Sequence, residues 1–206
     1  SRLQCPLLKG ESMLCNRSRA LAYLRRCQVD ALIATSPVNV TYFTGYHCWL
    51  DRQFKEYMTK PGASGDLFPT WAIFPLEGEP ALVLPVLMGV NALGLEVQDL
   101  RFYGDPGLDF SLPPLPLSGE LERFCQLLSA PQPESAVDAL AECLRERGLD
   151  SAAIGLEMEG MPARTVEGLR NALPKAQLKD ATNLIRLIRM VKSEEEIARL
   201  AQAAQI

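Results

Sequence analysis

The sequence has a single histidine, His47, and no run of basic residues. One histidine excludes a metal site in this chain that uses two or more histidine ligands. The net charge of −4 disfavours a nucleic-acid partner held through its phosphates. No apolar run approaches the roughly 20 residues that a membrane span requires. Glycine-rich phosphate loops and the G-x-S-x-G nucleophile motif are also absent. We therefore expect no nucleic-acid partner and no membrane partner.

The cysteines lack the close pairing that is typical of metal fingers and redox motifs. A disulfide framework is unusual in a chain of 206 residues. We therefore expect reduced thiols and a cytoplasmic location. Cys27 and Cys125 fall on the apolar faces of predicted helices, where a free thiol packs as a small hydrophobic group. The six cysteines are Cys5, Cys15, Cys27, Cys48, Cys125 and Cys143.

Helical and strand-like apolar patterns alternate along the chain. Apolar spacing of three and four residues predicts helices over 16–27, 121–128, 137–144 and 162–173. Short continuous apolar runs predict strands over 31–34, 71–75, 81–84, 97–103 and 152–156, with an edge strand near 177–179. The strands over 71–75 and 81–84 form a hairpin around a glycine-containing turn, and Pro37 and Asn39 end the first strand. This order favours an α/β sandwich with a mixed sheet.

The last fifteen residues contain a strong helix-start signal. Ser193 and Glu196 have the spacing of a capping box, and the glutamates of the first turn complement the helix dipole. Ile197 and Leu200 then begin an apolar stripe. Two interpretations remain open: the helix folds back on its own domain, or it begins a further domain. We favour the second and divide the chain into a domain over 1–188 and, over 189–206, a linker with the first helix of a missing catalytic domain.

Two other segments are candidates for function. The stretch after Asn39 is rich in aromatic residues and continues without clear periodicity to residue 69, which is typical of a functional connection. Arg52 in this stretch could bind a carboxylate through two hydrogen bonds, although aromatic packing at the sheet edge explains the composition equally well. Glu157 and Glu159 could form an acid–base pair, but the neighbouring glycines and proline favour a surface turn.

Three stretches resemble the creatinase/prolidase/aminopeptidase P family of "pita-bread" metallohydrolases. Residues 29–45 (VDALIATSPVNVTYFTG) resemble its opening D-A-L…N-x-x-Y-x-T/S-G pattern. Residues 154–157 (IGLE) are similar to the strand that follows its mid-domain helix. Residues 187–197 (LIRMVKSEEEI) are similar to the R-x-x-K-S/T-x-x-E-I junction that opens the catalytic domain. The resemblance extends over nearly the whole chain.

This resemblance implies the fold of this chain and the location of catalysis in a following domain. It implies a three-layer α/β sandwich with a mixed β-sheet and a ribonuclease H-like motif, as in the creatinase N-terminal domain. In such enzymes the N-terminal domain is non-catalytic, and two divalent metal ions lie in the following domain. The resemblance therefore implies no catalytic residue, cofactor-binding residue or metal ligand in this chain. We therefore expect a parent protein that is a metal-dependent Xaa-Pro dipeptidase-like hydrolase, acting on a small peptide or amide, and no activity in this chain alone.

The resemblance also implies a homodimer and a role for the loop after the Thr44-Gly45 step. In the family, the corresponding loop can reach the active site of the neighbouring subunit. His47, Trp49 and Arg52 occupy that region here and are our candidates for shaping substrate specificity in trans. The alternatives are a non-enzymatic protein-interaction module on the same scaffold and the N-terminal domain of a creatinase-like or lyase relative.

Overall fold

The computed structural model describes residues 14–47, 68–105 and 119–205, in which strands and helices alternate along most of the chain. The strands are β1 Ala31–Ala34, β2 Trp71–Pro75, β3 Ala81–Pro85, β4 Asp99–Tyr103, β5 Ala153–Leu156 and β6 Gln177–Asp180. The α-helices are α1 Arg17–Cys27, α2 Pro37–Thr44, α3 Glu120–Ser129, α4 Ala136–Glu146, α5 Ala163–Ala172, α6 Thr182–Met190 and α7 Glu194–Ala203, and a 3-10 helix covers Val86–Ala92.

The described strands form one mixed sheet in the order β4-β3-β2-β1-β5-β6. β1 pairs antiparallel with β2 and parallel with β5. β2 and β3 form the predicted antiparallel hairpin, whereas β3 with β4 and β5 with β6 are parallel pairs. All four residues of β1 are buried, because the strand is central and has helices on both faces. β6 is an edge strand, as the sequence predicts.

Helices cover both faces of the sheet and make two separate cores. On one face, α1, α2, α3 and α6 bury residues such as Leu24, Phe43 and Ile185 against the sheet. On the other face, α4 and α5 bury residues such as Leu140 and Leu169. The predicted three-layer α/β sandwich with a mixed sheet is therefore confirmed. None of the described helices has both the length and the apolar character that a membrane crossing would need.

Two helices and one burial pattern differ from the sequence prediction. Pro37 does end β1, but it also opens α2, since proline is well tolerated in the first helical turn. Gly45 then closes α2 with φ 74°, a left-handed conformation that glycine adopts without cost. α6 carries a clear apolar stripe that includes Ile185 and Ile188 and was also not predicted. Cys27 is exposed at the end of α1 rather than packed on its apolar face.

Gly155 lets β5 lie very close to its neighbours. A Cβ atom at this position would lie 2.8 Å from Leu32 Cδ2 and 2.9 Å from Ala181 Cβ. Since Ala181 directly precedes α6, the absent side chain sets how closely the start of α6 can approach the sheet. The glycine in the IGLE stretch is therefore explained by packing.

Candidate functional site

Glu157 follows β5 directly and is buried, with only 5% of its surface exposed. Its Oε2 atom accepts hydrogen bonds from the backbone N–H groups of Thr35 at 2.7 Å and Ser36 at 3.0 Å. Its Oε1 atom accepts one from Asn39 Nδ2 at 2.6 Å. The carboxylate therefore has three donors, all from the end of β1 and the start of α2.

This carboxylate acts as the N-terminal cap of α2. The first turn of any α-helix has N–H groups without intrahelical partners and carries the positive end of the helix dipole. Ser36 is at the N-cap position, but its side chain makes no capping hydrogen bond. Glu157, 121 residues away in the chain, accepts instead from the N–H group of Ser36 itself and brings a negative charge to this end of the helix. The position at which this helix could hold a bound anion is therefore already filled.

Asn39 connects Glu157 to the end of α6. While its amide nitrogen donates to Glu157, its Oδ1 atom accepts a hydrogen bond from Arg189 Nη1 at 2.7 Å. The Arg189 guanidinium also lies 5.7 Å from the ring centroid of Tyr42, a cation–π distance. We call these four residues, Glu157, Asn39, Arg189 and Tyr42, the motif network, because they come from the three stretches that resemble the creatinase/prolidase family.

The motif network continues into a buried region near α1. The Tyr42 hydroxyl accepts a hydrogen bond from the Asn16 N–H at 3.0 Å and shares one with the Cys15 thiol. Burial raises the pKa of Cys15 to about 12 and, as the largest of several causes, that of Tyr42 to about 12. Both groups are therefore protonated near neutral pH, and this end of the network has a packing role.

The two glutamates that the sequence places together have different environments. Glu157 belongs to the buried network, so its interpretation as part of a surface turn is wrong. Glu159 is exposed and forms an ion pair with Arg186. Thr182 holds the backbone between them, because its Oγ1 atom accepts from the N–H groups of Met158 at 3.1 Å and Glu159 at 3.3 Å. The two carboxylates do not form an acid–base pair.

The segment from α6 to α7, which we call the connector (residues 187–200), is fastened at its beginning and exposed at its end. The Arg19 guanidinium donates to the Leu187 carbonyl at 2.9 and 3.2 Å. The predicted capping box of α7 is present, with Ser193 N–H to Glu196 Oε2 at 2.9 Å and Glu196 N–H to Ser193 Oγ at 3.1 Å. None of the described residues of α7 is buried. The most exposed large apolar side chains of the connector are Met190 at 69%, Leu200 at 58% and Ile197 at 56%.

The three residues proposed to shape specificity are only partly covered by the described structure. His47 is exposed and lies two residues beyond the glycine that closes α2. Trp49 and Arg52 lie outside the described residues. Among the residues that are described, no three or more His, Cys, Asp or Glu side chains are grouped to hold a metal ion.

Residues 119–191 match the family described as the creatinase/prolidase N-terminal domain. Two curated proteins of Sinorhizobium fredii, described as uncharacterized hydrolase/peptidases y4tL and y4tM, are 25% and 26% identical over 182 and 195 residues. The alignments cover 88% and 92% of this chain but 38% and 42% of those proteins, so the chain spans about two fifths of their length.

Solved structures with the same fold include two longer dipeptidase chains and one domain of a dipeptidase. A dipeptidase from Pyrococcus horikoshii aligns with a TM-score of 0.56 at 17% identity, covering 88% of this chain and 38% of that one. Dipeptidase PepE from Mycobacterium ulcerans aligns with a TM-score of 0.55 at 20% identity, and the alignment covers 91% of this chain and 39% of PepE. A creatinase N-terminal superfamily domain of a Streptococcus thermophilus dipeptidase gives 0.52 at 18% identity, covering 84% of this chain and 97% of that domain. Residues 119–191 of this chain thus match the creatinase/prolidase N-terminal domain family, and the described fold is similar to that of solved domains of this kind.

Proposed function

We propose that this chain is the non-catalytic N-terminal domain of a metal-dependent, Xaa-Pro dipeptidase-like hydrolase that acts in the cytoplasm as a homodimer. Its task is to support a following catalytic domain and to contribute to dimerisation and substrate specificity. Two divalent metal ions would lie in that following domain. The observation that carries the proposal is the connector, which is tightly bound to this domain at α6 and exposes the apolar face of α7.

The motif network gives the connector a fixed starting direction. Arg189 lies in the last turn of α6, and its hydrogen bond to Asn39 joins that turn to α2 and, through Glu157, to the centre of the sheet. The Arg19 contact holds the same turn from the side of α1. A helix that begins with a complete capping box and exposes Ile197 and Leu200 is suited to packing against another folded unit. The coverage of the hydrolase/peptidase relatives, about two fifths of their length, also supports a larger parent protein.

The assignment of activity can be tested with two purified proteins, the full-length gene product and residues 1–206. We expect the full-length protein to hydrolyse Xaa-Pro dipeptides when a divalent cation such as Mn²⁺ or Co²⁺ is added, and to lose activity with a chelator. The 1–206 chain should be inactive under the same conditions. A full-length protein that folds and dimerises but cleaves no dipeptide would instead favour the interaction-module alternative.

The specificity role rests on the segment that follows α2. α2 is anchored by Glu157 at its start, and its closing glycine directs the chain toward the exposed His47. In the full-length dimer, Arg52→Ala is expected to change kcat/KM unequally among dipeptides that differ in their C-terminal residue. Arg26→Ala, an exposed arginine at the end of α1, is the matched control. If the ratios of kcat/KM among these dipeptides are the same in the Arg52 variant as in the control, the specificity role is excluded. The assignment of activity would not be affected by that result.

A further inference from the structure

The outer edge of β4 faces a groove at the end of the sheet with a cavity volume of about 530 Å³. Five consecutive residues, 98–102, line it. Because successive side chains of a strand point to opposite faces, a cavity that touches all five runs along the edge of the strand. The remaining described lining comes from α3, from α4 and from the connection between them, residues 130–133.

The backbone of β4 presents hydrogen-bonding groups to this groove. The Gln98 carbonyl accepts from Arg123 Nη2 at 3.0 Å, and the Gly104 N–H donates to the Pro133 carbonyl at 2.8 Å, so both groups point away from β3. N–H and C=O groups of one strand residue point to the same side, and the side alternates along the strand. The N–H and C=O groups of Leu100 and Phe102 therefore also point outward. Unlike the Gln98 carbonyl and the Gly104 N–H, the outward groups of Leu100 and Phe102 form no hydrogen bond with another part of the described chain.

The two walls of the groove differ in chemistry. On the α3 side, Leu100, Phe102 and Leu127 form an apolar wall that belongs to the first core, and the cationic Arg123 lies at the Gln98 end of the groove. The α4 side is charged: Asp99 is paired with Arg101 and Arg147. Arg101 is paired in addition with Glu146.

Glu142 also lines the α4 wall of the groove and is exposed. It forms no hydrogen bond or ion pair with any described residue. The charged wall thus has one negative charge that its own arginines do not balance.

We propose that this groove, which we call the β4 edge groove, binds an extended segment of a partner protein as an additional strand. The segment pairs its backbone with Leu100 and Phe102, places apolar side chains toward α3 and places cationic side chains toward Glu142 on α4. Strand addition of this kind obtains affinity from main-chain hydrogen bonds and selectivity from the alternate side chains. The inference does not depend on the proposed hydrolase function.

A synthetic peptide with alternating valine and lysine, acetyl-VKVKVK-amide, is a suitable probe. Two matched controls are acetyl-VVVKKK-amide, which has the same composition and charge, and acetyl-VKVKVK-amide N-methylated at every residue, which has no N–H donors. We expect amide exchange, measured by NMR on the full chain, to slow at least tenfold at Leu100 and Phe102 with the alternating peptide and with neither control. Equal protection by a control would overturn the proposal. So would slow exchange of both amides in the chain alone, because the edge would then already be covered.

Two pairs of protein variants test the backbone and charge contributions separately. Leu100→Pro removes the outward N–H group, whereas Leu100→Ala removes the same side chain but keeps that N–H group. We expect the proline variant to bind the alternating lysine peptide about five- to tenfold more weakly than the alanine variant, as the loss of one hydrogen bond predicts. Glu142→Lys, at an exposed position that does not endanger folding, should weaken binding of the alternating lysine peptide and strengthen binding of acetyl-VEVEVE-amide. If the Glu142→Lys variant keeps the original preference for the lysine peptide over the glutamate peptide, the proposed orientation of the cationic side chains toward α4 is wrong.

Discussion

Replacing Glu157 with alanine should destabilise the domain far more than its position after a strand would suggest. The change leaves two backbone N–H groups and the Asn39 amide without their acceptor. A buried donor that loses its partner costs about 1–3 kcal/mol, and the loss of a helix N-cap costs about 1 kcal/mol. Because the three donors share one carboxylate and are not independent, we expect a total of about 3–5 kcal/mol. That is a large part of the roughly 5–15 kcal/mol that stabilises a typical domain.

The measurement is equilibrium urea unfolding of residues 1–206. Circular dichroism and tryptophan fluorescence both monitor the unfolding, so that the two transitions can be compared for coincidence. Glu159→Ala is the matched control, since it removes the same side chain two residues later but breaks only an exposed ion pair with Arg186. Exposed pairs contribute about 0–1 kcal/mol. A loss of less than about 1 kcal/mol for Glu157→Ala, or a loss no larger than that of the control, would refute the capping role of Glu157.

Three further predictions concern packing, pH and thiol chemistry. Gly155→Ala should lower the free energy of unfolding by about 1–3 kcal/mol through overpacking, whereas Gly168→Ala in α5, whose added Cβ would lie 3.7 Å from its nearest neighbour, should be neutral or stabilising. Burial would raise the pKa of Asp99, but its two arginine partners hold it below the usual 3.8. The stabilisation from Asp99 should therefore be complete above pH 3.8 and be lost as the pH falls below it, and an Asp99→Asn variant should lack this part of the acid dependence of urea unfolding. Iodoacetamide at pH 8, followed by peptide mass spectrometry, should label the exposed Cys27 well before the buried Cys15, and equal rates would contradict the described burial.

The strands and the amphipathic helices could be predicted from the sequence because local pattern and burial agree there. β1 is a continuous apolar run and is buried throughout, and the hairpin of β2 and β3 is marked by its glycine turn. α2 escaped prediction because Val40, Tyr42 and Phe43 are buried on several sides of a short helix, which leaves no single apolar stripe. The stripe of α6 was available in the sequence, and a search for helical spacing over 182–190 would have found it.

The motif network could not be derived from periodicity. Glu157 and Asn39 are 118 residues apart, and Arg189 is 150 residues from Asn39. Nothing in the local pattern around Glu157 distinguishes a buried helix cap from a surface turn, and the nearby Gly160 and Pro162 favour the turn. The signal that could have found the network is the resemblance itself, because each of its three stretches contributes a member.

Hydrogen exchange over α7 tests most directly the claim that the connector is a contact with a following domain. We expect the amides of residues 197–203 to exchange rapidly in the 1–206 chain, where the face with Ile197 and Leu200 is exposed, and to be strongly protected in the full-length protein. Slow exchange of this helix in the 1–206 chain, or equally rapid exchange in both proteins, would contradict it.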